Sequence, residues 1–120
     1  MNEKVEKLLA RLREVEELLG FPETLSDQKS YRQLTQEHAQ LSELREVWDG
    51  LQSAEKQLSE SRSLLETELD PEMQEMLREE IARLQAEIET GKSTIQNLLV
   101  HIALNILWLY QVLFLLILID

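Results

Sequence analysis

Apolar residues of the first segment recur at steps of three and four: Val5, Leu8, Leu9, Leu12, Val15, Leu18 and Leu19. That spacing gathers side chains on one stripe of an α-helix and predicts a first amphipathic helix over residues 1–19. Gly20 suits the left-handed position that closes a helix, and Pro22 blocks continuation. Acidic residues interrupt this start and no apolar run follows, so it does not read as a secretory signal.

A second helix is expected from Ser26 or Asp27, either of which can cap free backbone N–H groups. Its seam runs through Tyr31, Leu34, His38, Leu41, Arg45 and Trp48, then Leu51, Ala54 or Glu55, Leu58, Arg62, Leu65 and Leu69. Gly50 costs this helix roughly 1 kcal/mol against Ala and marks where it would bend. Asp70-Pro71-Glu72 is the clearest punctuation. Asp70 can cap, Pro71 fits the first helical position, and Glu72 favours the positive helix end. The next helix carries Met73, Leu77, Ile81, Leu84, Ile88, Gly91, Ile95 and Leu98, close to a heptad seam. Two heptad helices with so short a turn between them form an antiparallel hairpin, with arms of about 28 residues and ~40 Å. The expected fold is therefore all-α: an extended, coiled-coil-like antiparallel hairpin with a short first helix and an apolar C-terminal helix.

Polarity changes near Ser93. All 12 basic residues lie between Lys4 and Lys92, and Thr94 to Ile119 holds 26 uncharged residues. As a helix that stretch reaches ~39 Å against a hydrocarbon core of ~30 Å, the composition of a membrane anchor. On the soluble alternative, the tail folds back over the helical seam or associates with copies of itself.

Net charge is −11, the wrong sign for neutralising phosphates, so a protein partner is expected rather than nucleic acid directly. The chain has no cysteine, which excludes disulfides and thiolate-held metals and fits a reducing compartment. Gly91-Lys92-Ser93-Thr94 resembles the end of a phosphate-binding loop. The glycine needed five positions earlier is Ala86, and no strand precedes it. His38 lies at a seam position, and His101 stands in an uncharged stretch without a nearby carboxylate. Carboxylate runs such as 14–17 and 79–80 read as solvated helix faces, with Glu3–Lys7 and Glu79–Arg83 at pairing distance along the helix. No residue is assigned a catalytic, cofactor-binding or metal-ligating role, no cofactor is implied, and the chain is not expected to be an enzyme.

Several stretches taken in order resemble the N-terminal domain of class I peptide chain release factors of the bacterial type, and release factor 1 in particular. They are Leu18-Leu19 before a break, Ser26-Asp27-Gln28-Lys29, Tyr31-Arg32-Gln33-Leu34, Glu37-His38-Ala39-Gln40-Leu41, Asp70-Pro71-Glu72-Met73 with Glu75-Met76 and Glu79-Glu80, and Leu98-Leu99-Val100. The resemblance covers residues 1–100, leaving 101–120 as an apolar tail. Where the family continues into a Pro-Lys-Asp-Pro-like linker, His101 begins that tail. The family's catalytic Gly-Gly-Gln is absent, because the glycines are Gly20, Gly50 and Gly91. Its stop-codon-reading tripeptide is absent too, since Pro22 precedes Glu23 and Pro71 precedes Glu72. A truncated or frame-shifted family member would show this coincident change of resemblance and polarity.

The resemblance implies a cytoplasmic, non-catalytic helical domain of translation termination, docking on the ribosome beside the large-subunit stalk base. Two other readings stay open on the residues. One is a tail-anchored membrane protein holding a cytosolic coiled-coil arm through residues 94–119. The other is an acidic, self-associating scaffold.

Overall fold

The computed structural model describes residues 2–119, with the side chains of positions 108, 109 and 113 left aside. Every element is a helix: α1 (Asn2–Leu19), α2 (Pro22–Ser26), α3 (Gln28–Thr67) and α4 (Pro71–Ile119). No strand occurs among the described residues, so the fold is all-α. The chain forms two compact units, residues 1–46 and 47–120.

In the first unit the predicted stripe of α1 turns inward. Val5, Leu12 and Val15 are buried and Leu8, Leu9, Leu18 and Leu19 half-buried. Leu41 and Leu44 of α3 complete this unit's buried set. One of the sequence expectations fails between the helices. Gly20 is not left-handed. Its N–H bonds the Glu17 carbonyl at 3.0 Å and that of Phe21 bonds Leu18 at 3.2 Å. Such tight three-residue bonds close α1 without any positive φ. Pro22 does more than block a helix, because it starts α2 at a position where its missing N–H and fixed φ cost nothing.

Asp27, rather than Ser26, caps α3. Its Oδ1 accepts the Lys29 N–H at 3.2 Å, while the Ser30 hydroxyl donates to Oδ2 at 2.8 Å. The Ser26 hydroxyl instead bonds back to the Glu23 carbonyl at 2.8 Å, finishing α2. From there α3 continues through Gly50 as one helix of 40 residues.

In the second unit α3 and α4 form the expected antiparallel hairpin. Asp70 Oδ1 accepts the Glu72 N–H at 3.2 Å and the Asp70 carbonyl accepts that of Gln74 at 2.9 Å. The Gln74 amide also reaches across the turn to the Glu68 carbonyl at 2.8 Å. Buried positions on α3 are Leu51, Ala54 and Ser61, with Leu58 and Leu65 half-buried. On α4 they are Leu84, Ile88, Ile95 and Ile102. The expected seam of α3 fails at both ends, where Tyr31 and Leu69 are exposed, and is out of phase at two places between them. Leu44 and Ser61 are buried where Arg45 and Arg62 were expected, and both arginines are exposed. Charged heads keep to water, so the neighbouring small or apolar residue turns inward.

The apolar stretch is helical as expected and forms the end of α4, which runs unbroken for 49 residues. Nor does that stretch fold back over the seam: Phe114 to Ile119 are all exposed. At ~1.5 Å per residue α3 and α4 measure about 60 and 74 Å, beyond the ~40 Å expected.

Two substitutions test this account by urea denaturation followed by circular dichroism. A methyl group at Gly50 meets nothing within 4 Å, so Gly50→Ala gains roughly 0.8–1 kcal/mol of helix propensity. Leu84 is fully buried, and Leu84→Ala loses about 2–5 kcal/mol through transfer and cavity terms.

Candidate functional site

The surfaces available for binding follow from what each unit leaves exposed. In the first unit Arg11 on α1 grips Glu37 on α3 with a two-pronged bond, Nε to Oε1 at 2.6 Å and Nη2 to Oε2 at 3.0 Å. The Glu37 hydrogen bond is the main cause holding the Arg11 guanidinium above its ordinary pKa, with Glu14 adding to it. Arg45 reaches Glu16 at 3.5 Å across the same pair of helices. Around α2, Phe21, Leu25 and Tyr31 remain exposed on the protein surface. The sequence pattern did not single out Phe21 or Leu25, because a five-residue helix is too short to show a period.

In the second unit a shallow groove of about 530 Å³ is lined by Val47, Gly50, Leu51 and Ala54 of α3 and by Arg83, Ala86 and Gly91 of α4, among others. Small side chains make it. A Cβ added at Gly91 would lie 3.4 Å from Leu51 Cδ1, ordinary contact distance. Its rim is charged: Arg83 pairs with Glu80 and with Glu87, one turn away on either side. The Arg83 hydrogen bond holds the Glu80 carboxyl below its ordinary range. Glu79 was the expected partner of Arg83 and takes no part, and Glu3 and Lys7 do not pair among the described residues. Both helices offer arginine a choice of carboxylates at three and four residues, and rotamer geometry decides between them.

His38 is half-buried and His101 exposed, on different units. Residues 91–94 sit inside α4, where helical bonding occupies the backbone N–H groups that a phosphate loop would present. No group of three or more metal-binding side chains lies together among the described residues. The described geometry comprises helix faces, an ion-paired junction between α1 and α3 and an apolar end of α4.

The comparison with known proteins decides among families. The PCRF domain family matches residues 8–104. The chain belongs to that family. Peptide chain release factor 1 of Chlamydia abortus is 42% identical over 83% of this chain and 28% of its own length. Its counterpart from Bacillus licheniformis is 37% identical over the same shares, and that from Bacillus subtilis 33%. This family member thus spans 28% of the length of these relatives. No solved structure matches it significantly. The PCRF match ends at residue 104, two residues beyond Ile102, the last buried side chain described on α4.

The junctions of this PCRF domain yield two predictions. Hydrogen bonds from Ser30, its side chain first, hold the Asp27 carboxyl below its ordinary value of 3.8. A depressed carboxylate pKa stabilises the fold above the unfolded value, and that contribution is lost only as pH falls through the lower folded value. Carbon-13 titration should therefore place the Asp27 midpoint below 3.8, with Ser30→Ala moving it up. The second concerns Arg11 and Glu37, whose side chains are 39% and 35% exposed. A double-mutant cycle on Arg11→Met and Glu37→Gln should give a coupling of about 0.5–1 kcal/mol that shrinks as salt is raised.

Proposed function

We propose that this chain serves translation termination as a non-catalytic, ribosome-docking helical domain. The observation that carries the reading is the PCRF match over residues 8–104, supported by relatives named peptide chain release factor 1. The residues of this chain contain neither Gly-Gly-Gln nor a Pro-Ala-Thr or Pro-Val-Thr tripeptide, so hydrolysis and stop-codon reading are not functions of these helices. Binding is left. The strongly acidic chain disfavours direct contact with ribosomal RNA and favours a basic protein surface. We place that contact at the stalk base of the large subunit, with residues 1–100 as the docking domain and the cytoplasm as its compartment.

A second reading is favoured by one observation: in the apolar end of α4, residues 101–120 in the domain division proposed here, every described side chain beyond Ile102 is exposed except the half-buried Val112. On that reading the helical arm is also tethered to a membrane. Self-association of the acidic helices is the third, and it draws only on the heptad spacing.

Co-sedimentation through a sucrose cushion tests the first reading. The chain should pellet with ribosomes and with isolated large subunits, and leave peptidyl-tRNA intact in a release assay. Hydrolysis by the chain alone, or no pelleting with either particle, would overturn it.

A further inference from the structure

We propose that α4 crosses a lipid bilayer between about Val100 and Ile119, with the helical body on the side of Lys92. This deepens the tethered reading by committing to one occupant and one orientation.

Two occupants compete for the apolar end of α4, a second copy of the chain and a bilayer. The distribution of exposed side chains separates them. Successive residues of a helix point ~100° apart, so six in a row sample every direction around its axis. Phe114, Leu115, Leu116, Ile117, Leu118 and Ile119 are six in a row, and all are 55–80% exposed. A partner helix covers one stripe on the order of 100° wide and would leave most of these side chains in water. A helix that is apolar all round needs a surrounding medium, and a bilayer supplies one.

Length and boundaries agree with that occupant. From Val100 to Ile119 the helix spans about 20 residues, or ~30 Å, the thickness of a hydrocarbon core. Three boundaries fall close together at the near end. The basic residues end at Lys92, the last fully buried side chain described is Ile102, and the family match stops at residue 104. The protein's own close packing therefore ends within the first turn of the proposed span, and Val112 is the one half-buried side chain described farther along. His101 and Asn105 lie within its first two turns, near the headgroups, leaving Gln111 as the amide farther in.

Orientation follows from the basic residues. Arg78, Arg83 and Lys92 precede the span. Lys and Arg near a span are retained on the cytoplasmic side, which keeps residues 1–93 there. The ribosome-docking surface proposed above then stays in the same compartment as ribosomes.

The absence of cysteine makes the test direct, because each introduced thiol is the chain's only one. The full chain is expressed in bacterial cells as three variants: Ser93→Cys, Leu116→Cys, and a cysteine appended after Asp120. Carbonate extraction comes first. Retention in the membrane pellet is expected, and release into the supernatant would overturn both the tethered reading and the span. Membrane-impermeant maleimide is then applied to intact spheroplasts and to inverted vesicles. The appended cysteine should label at least tenfold more in spheroplasts, Ser93→Cys at least tenfold more in inverted vesicles, and Leu116→Cys in neither. Retention with both terminal sites labelled from one side would leave the tether standing and overturn the span, since the helix would then lie along the surface. Retention with the two sides exchanged would overturn the orientation.

Discussion

A helix of forty or more residues does not stand alone in water on propensity, since most helical stability comes from burying an apolar face against a partner. That constraint shapes the second unit. Leu51, Ala54, Leu58, Ser61 and Leu65 on α3 keep to one seam, and Leu84, Ile88 and Ile95 keep to another on α4. The outer faces are released to carry Glu, Lys and Arg, which is why the chain can be strongly acidic and still fold. The turn at Asp70 depends on the seam as well. It must deliver the two helices at a spacing where Gly91 can face Leu51, and the Gln74-to-Glu68 bond fixes that delivery.

Much of this was legible in the order of residues, and the exceptions have physical causes. The heptad spacing of Leu77, Ile81, Leu84, Ile88 and Ile95 and the Asp70-Pro71 signal define the hairpin, because both are local rules repeated over many residues. The register of α3 was harder. Arg45 and Arg62 fall at seam spacing, and only the cost of burying a guanidinium pushes Leu44 and Ser61 inward instead. Residues 20–27 were the least readable. A glycine can close a helix by a left-handed residue or by tight three-residue bonds, and the sequence at Gly20 does not distinguish them. The short α2 lacks a period for the same reason that it lacks a core, since none of its residues is buried.

The family was legible by a different route. Among the described residues no group of three or more metal-binding side chains lies together, so chemistry did not announce a role. Ordered segments along α3 and α4 did, among them residues 31–34, 37–41 and 70–73, and the PCRF match over 8–104 contains them all. Many of those side chains are polar and face solvent, where packing does not dictate identity. The residues that mark this family lie largely on the outside of the helices, and a reader tracking only the apolar seam would pass over them.

The unbroken course of α4 has a geometric consequence. Its hairpin portion and its apolar end share one hydrogen-bonded register with no loop between them. Whatever fixes the rotation of one part about the helix axis fixes the other. Each residue inserted or deleted between Leu98 and Phe114 would advance or set back the hairpin by ~100° relative to the apolar end, and about eighteen residues would bring it round to the same bearing after five turns. The helix is thus an indexed shaft, and the length of this segment sets the direction in which the acidic faces of the hairpin look.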